Sequence, residues 1–251
     1  MRVLALGLVI ALAACASSPR PNDRQRAFLG EAAEPSAVIA TDLAFARGAR
    51  EDGQWTAFGS FAAEGALIHE MAGPVAAAPW LAGRADPKPP VQWTPTAVWS
   101  SCDGQTTVTY GTSREPDGTW GYYATVWERQ KGRAFRWVYR IAAPNLALTE
   151  RVARRPEPVE QDDGAIVVSA YSDIRAEVAQ CGISGDPPAP RAASLPDGAR
   201  SATHYASDRT LLWRWEHRAD GTRRLTVDIV QQGAWIEALA FEVSPANQVV
   251  R

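Results

Sequence analysis

Between residues 105 and 141 apolar and polar side chains alternate with a period of two, broken by turn signals, and this pattern restricts the segment to antiparallel strands. Phe135, Trp137, Tyr139 and Ile141 alternate with Arg136, Val138 and Arg140, so one side of that strand is core and the other largely solvated. Gln105 to Thr112 and Thr119 to Arg129 read as two further strands. Pro116-Asp117-Gly118 separates them, proline presetting φ and glycine supplying the left-handed conformation of a tight turn. Lys131-Gly132 then turns the chain into the strand from Ala134 to Ile141. On the central strand Trp120, Tyr122 and Val126 fall on one face, Tyr123 and Trp127 on the other. A strand apolar on both faces needs a second cover, either C-terminal strands or another subunit, and a homodimer through the sheet face is one expectation.

Upstream the period is helical. Pro35-Ser36 offers an N-cap, and Val38, Asp42, Phe45 and Ala49 share a stripe until Asp52-Gly53 stops the run. A second helix is expected from Gln54 to Ala63 with Trp55, Phe58 and Ala62 on one face, then a strand from Ala66 to Glu70 and one helical turn within Pro79 to Gly83. Trp93 to Ser100 reads as a strand interrupted by Pro95, which confines that position to an edge or a bulge. Downstream, residues 150–163 carry Pro156, Pro158 and five acidic side chains and read as a linker. Ala165 to Tyr171 and Ile174 to Gln180 look like strands, and Gly185 to Gly198, with four prolines, is a second break. A meander follows: Thr210 to His217, Arg223 to Gln231 and Ala234 to Val243, with Asp220-Gly221 turning the first hairpin.

The chain opens with Met1-Arg2, an apolar run from Val3 to Leu12, and Leu12-Ala13-Ala14-Cys15. A positive start, a short apolar stretch and small residues before a cut make a secretory signal, too short to span a bilayer. Leu-Ala-Ala-Cys resembles the lipobox of bacterial lipoproteins, which implies lipidation of Cys15, a lipid anchor in the membrane and cleavage before that residue. Residues 1–14 are then the signal and residues 15–32 a tether. The resemblance, with Ala16 after the cysteine, implies a periplasm-facing protein at the outer membrane. Losing Arg2 leaves 25 cations against 28 acids, a formal charge of −3, so no basic excess invites nucleic acid. Hydrophobic content of 46% excludes disorder for the bulk of the chain.

Residues 33–143 resemble a bacterial domain of unknown function in the nuclear transport factor 2-like superfamily, which includes SnoaL-like cyclases and ketosteroid isomerase. The residues that carry the likeness are Ala44-Phe45-Ala46, Gly53-x-Trp55-x-Ala57-Phe58, Gly73-Pro74 and Gly121-Tyr122-Tyr123-Ala124-Thr125-Val126-Trp127. It implies an α+β fold, a cone-shaped curved antiparallel sheet with N-terminal helices, enclosing a cavity between the first helix and the concave face. On this reading residues 33–149 form the cone domain, 150–164 a linker and 165–251 a β-rich C-terminal extension.

Within such a cavity Asp42 has two readings. It is a cavity acid or base whose pKa burial raises, or a carboxylate that accepts a bond from a tryptophan or arginine. His69, beside Ile68 and Glu70, is a second catalytic candidate or a structural histidine, and Phe45 and Trp127 join Asp42 as candidate ligand contacts. His204 and His217 are expected at the surface. Ile68-His69-Glu70-Met71-Ala72-Gly73 lacks the second histidine of a zinc helix, and no Walker A or dinucleotide-binding glycine pattern occurs, so neither metal nor cofactor is expected. Cys102 and Cys181 remain once Cys15 is acylated, a candidate disulfide in an oxidising compartment. The functions these observations leave open are a module binding a small apolar molecule or a partner, a metal-free isomerase, cyclase or dehydratase using Asp42 and His69, and an envelope scaffold.

Overall fold

The computed structural model describes residues 33–132, 134–154, 174–182, 189–190 and 194–250. Residues 1–32, hence the signal, the tether and Cys15, lie outside them, as does the strand expected over 165–171. Helix α1 (Pro35–Glu51) places proline at its start, where a missing N–H leaves no bond unmade. Glu34 rather than Ser36 is the N-cap, and no side chain closes it. Its buried face is Val38, Asp42, Phe45, Ala46 and Ala49, the expected stripe with Ala46 added.

Helix α2 (Gln54–Phe61) begins after Gly53, whose φ is +113°. A Cβ there would lie 2.2 Å from the Asp86 carboxylate, so the position needs glycine on both counts. Asp86 accepts bonds from the backbone N–H groups of Trp55 and Thr56, which supplies the cap that Gly53 cannot.

After β1 (Ala62–Glu70), β2 (Gly73–Ala76) and α3 (Ala77–Leu81) come β3 (Gln92–Ser100), β4 (Thr106–Arg114), β5 (Trp120–Arg129) and β6 (Phe135–Pro144). Helix α4 (Leu146–Ala153) is capped by Asn145, whose side chain accepts from the Leu148 N–H at 2.7 Å, so the segment expected to be linker from residue 150 begins inside a helix. The chain continues as β7 (Arg175–Val178), β8 (Arg200–Tyr205), β9 (Leu211–His217), β10 (Arg223–Gln231) and β11 (Ala234–Val243).

Seven strands form one curved, unclosed sheet in the order β2-β1-β6-β5-β4-β3-β7, and four form a second, β11-β10-β9-β8. The expected α+β architecture is present. The first sheet is mixed rather than wholly antiparallel, because β1 pairs β6 and β7 pairs β3 in parallel. The strand expected over 174–180 therefore belongs to the first sheet, beside β3.

One core lies between α1, α2 and the first sheet, built on Phe45, Phe58, Trp93, Trp127 and Trp137. The other lies between the two sheets, where Trp99, Tyr139 and Ile141 meet Leu211, Trp213, Leu225 and Phe241. The cover for the second face of β5 is thus the C-terminal sheet, and the homodimer expected through that face is not needed to bury it.

Two bulges decide which side chains face the helices. In β6, Trp137 pairs with Trp127 and Tyr139 with Val126, leaving Val138 as an extra residue. Below it Phe135 and Trp137 face the helices; above it Tyr139 and Ile141 face the second sheet. Arg140, expected on a solvated face, is thereby turned beneath the helices and is 5% exposed. In β3 the extra residue is Thr96, beside Pro95, so the proline marks a bulge as expected. Gly111 sits opposite, where a Cβ would lie 2.0 Å from the Thr94 carbonyl oxygen.

Candidate ligand-binding cavity

A cavity of about 280 Å3 opens beneath α2 and α3, and its apolar wall includes Trp55, Phe58, Ile68, Trp80, Trp93 and Ala142. Each element brings its part for a local reason. The Asp86 cap fixes the start of α2 and so Trp55; Gln54 accepts from the Val91 N–H at 2.9 Å and holds the loop entering β3, hence Trp93. Trp80, on α3, lies 5.1 Å from Trp55 ring to ring, and the Arg84 guanidinium rests 3.6 Å above it.

The polar part of the wall includes His69, Ser113, Glu115, Arg140 and Arg223. The Arg140 guanidinium carbon lies 4.5 Å from the ring centre of Tyr123, 4.9 Å from that of Trp93, 5.2 Å from Phe58 and 5.5 Å from Phe45. Its Nη1 donates to Thr125 Oγ1 at 2.6 Å. Burial works against this cation and the nearby Asp42, ahead of Tyr123 and Glu115, works for it; a guanidinium remains protonated regardless.

Asp42 is wholly buried and does not line the cavity. Trp93 donates Nε1–H to its Oδ1 at 3.0 Å, and Tyr123 donates its hydroxyl to Oδ2 at 2.8 Å. Burial raises the carboxyl above its ordinary value, opposed by Arg140 and by hydrogen bonds from Tyr123, Thr109 and Trp93. Burial and the neighbouring Asp42 carry Tyr123 well above its own ordinary value, so it stays a donor. Thr109 also accepts from Trp127 Nε1 at 2.9 Å, which ties the second expected ligand contact into the same network. Of the earlier alternatives for Asp42, the geometry is that of a carboxylate holding a tryptophan and a tyrosine. Phe45 and Trp127 are likewise fully buried and absent from the wall.

His69 is in the wall and only 2% exposed. Its Nδ1 lies 2.5 Å from the Tyr139 hydroxyl and its Nε2 3.2 Å from His217 Nδ1. Burial, Arg223, His217 and Arg200 lower its pKa to about 3, and burial lifts Tyr139 well above its ordinary value. Neutral His69 therefore has one donor and one acceptor nitrogen to share between Tyr139 and His217. Arg223 donates to the His69 carbonyl at 2.7 Å and to Asn247, joining the cavity to the second sheet. His217 is half-buried rather than at the surface, while His204 is exposed and stacks 4.1 Å from Trp213.

Cys102 and Cys181 form a disulfide with Cα atoms 5.2 Å apart, linking the turn after β3 to the end of β7. Among the described residues no group of three or more His, Cys, Asp or Glu is arranged to hold a metal ion.

Sequence reasoning missed Arg140, Glu115 and Arg223. The signal available was an arginine inside an aromatic strand, and the Val138 bulge reverses the face that alternation assigns to it. Against protein-family models, curated proteins and solved structures the chain has no match.

Proposed function

We propose that this chain is a lipid-anchored envelope protein, facing the periplasm, whose cavity binds a small molecule. The observation that carries the reading is the cavity, with largely aromatic and aliphatic walls and a few fixed polar groups, the composition of a small-molecule site. Since an apolar cavity of about 150 Å3 suffices for benzene, this one has room for a small aromatic molecule of about nine non-hydrogen atoms. The order of two helices, a hairpin, a short helix and four strands, with β1 between β2 and β6, supports the likeness to the nuclear transport factor 2-like superfamily. Catalysis by Asp42 gains no such support, because both its oxygens already accept bonds and it lies outside the wall. The lipid anchor rests on the lipobox at Cys15. Labelled fatty acid entering the wild-type chain but not Cys15→Ala supports it, and equal labelling contradicts it.

Benzamide, a neutral molecule of about nine non-hydrogen atoms, tests the cavity. Ala142 is exposed on β6 and lines the wall, so Ala142→Phe fills the space without displacing core. Calorimetric titration of the full-length protein should show saturable binding that Ala142→Phe weakens at least about tenfold, with stability within about 0.5 kcal/mol of wild type. Unchanged affinity in that variant, or no binding to wild type, contradicts the reading.

A further inference from the structure

The cavity's polar floor indicates which small molecules suit it. A guanidinium presents five donors in one plane, and its two flat faces suit aromatic rings. Around Arg140 four rings lie between 4.5 and 5.5 Å from the guanidinium carbon, so its remaining needs are acceptors near the plane. Thr125 satisfies Nη1. Among the described residues Asp42 makes no hydrogen bond to Arg140 and acts on it only as a nearby opposite charge, its oxygens holding Trp93 and Tyr123. Among the described residues no carboxylate forms an ion pair with Arg140 within 4.0 Å. None of its nitrogens is a sealed, partnerless atom, although the residue is only 5% exposed, and it forms part of the cavity wall. A buried cation is costly unless it is paired, and the open side of this one is the cavity.

We propose that the cavity recognises a small, flat organic anion, a carboxylate of about nine non-hydrogen atoms, through the Arg140 guanidinium. The proposal rests on the small-molecule reading above. The anion's carboxylate meets the planar donor edge of Arg140, and its apolar body lies against Trp55, Phe58 and Trp93. The other charged groups of the wall do not reverse this preference. Arg223 adds a second cation, with donors on the His69 carbonyl and Asn247. Glu115 and Glu70 oppose an anion, with the Arg140 charge beside the first and the Arg223 charge facing the second, while burial and Asp117 raise the Glu115 carboxyl above its ordinary value.

Benzoate and benzamide share shape and atom count and differ in charge, so their affinities for the full-length wild-type protein at pH 8 decide the matter. Benzoate should bind at least about tenfold more tightly, the advantage of a charge-assisted bidentate pair. Arg140→Met should abolish that preference by bringing benzoate affinity down to that variant's benzamide affinity, and Arg140→Lys, which keeps the charge but loses the fork, should reduce it. If Arg140→Met fails to fold, the lysine variant carries the comparison, and an undiminished preference there overturns the assignment. Equal affinities for the two probes on wild type overturn the anion proposal and leave the small-molecule reading standing. Binding of neither probe rejects both.

Discussion

Trp137 and Tyr139 are two residues apart on β6 yet face opposite layers, Trp137 toward α2 and Tyr139 toward the second sheet. Trp137 Nε1 reaches the Phe58 carbonyl at 3.1 Å, while the Tyr139 ring lies 5.3 Å from Trp213. The unpaired Val138 between them makes this possible, and it is what delivers Arg140 to the cavity.

Deleting Val138 removes the extra residue, so Trp137 and Tyr139 become neighbours opposite Trp127 and Val126, and alternation alone sends Tyr139 and Ile141 to the second sheet and Arg140 beneath the helices. The deletion should keep cooperative thermal unfolding and the inward face of Arg140. Val138→Ala keeps the bulge and loses part of a half-buried side chain, so it should cost about 1 kcal/mol. A deletion variant that loses cooperative unfolding would show that Val138 is more than the extra residue of a bulge.

Asp42→Ala removes the acceptor of Trp93 and Tyr123 and leaves both donors buried. A stability loss of about 3 kcal/mol or more is expected by denaturant titration. Asp42→Asn, which keeps one carbonyl acceptor, should lose less and bind benzamide within about threefold of wild type. A variant of unchanged midpoint and collapsed affinity would return Asp42 to the ligand site.

The folded-state pKa of His69, about 3, lies below its ordinary 6.5 because of burial, then Arg223, His217 and Arg200. With a depressed folded pKa the unfolded chain takes up the proton first, so stability is present above about pH 6.5 and is lost as pH falls toward 3. The slope from this group is at most about 1.4 kcal/mol per pH unit. His69→Gln should show a shallower loss between pH 6 and 4 than wild type, and the His69 imidazole resonances should not titrate above pH 4. A midpoint near 6 in those resonances would contradict the buried, neutral assignment.

The bond between Cys102 and Cys181 spans 79 residues, a closure that loop entropy values at about 4 kcal/mol of stability, less any strain. Thiol counting of denatured, unreduced protein prepared under oxidising conditions should find neither cysteine free, and reduction should lower the unfolding midpoint. Two free thiols would contradict the pairing.

Local patterns foretold a large part of the fold. The stripe of Val38, Asp42, Phe45 and Ala49 is the buried face of α1, and the aromatic alternation places β5 and β6. Legibility ended where geometry depends on distant partners. Pro95 announced its bulge because proline cannot donate to a ladder, but nothing in Trp137-Val138-Tyr139 distinguishes a bulge from continued alternation. The strand β8 escaped notice because Arg200 to Tyr205 is mostly exposed and carries weak alternation, and β7 could not be assigned to β3 because parallel pairing leaves no turn signature. For the same reason the cavity was placed at Asp42. An acid on an apolar stripe looks like a functional group until Trp93 and Tyr123, 51 and 81 residues away, supply its partners.

Whether a small molecule occupies this cavity is answered by intermolecular nuclear Overhauser effects between benzamide and the protein. The expected result is a set of contacts from the benzamide ring to the Ala142 and Ile68 methyl groups and the Trp93 indole, all in the wall, with none to Phe45 or Trp127. Contacts confined to other surfaces, or none at a saturating concentration, would contradict it.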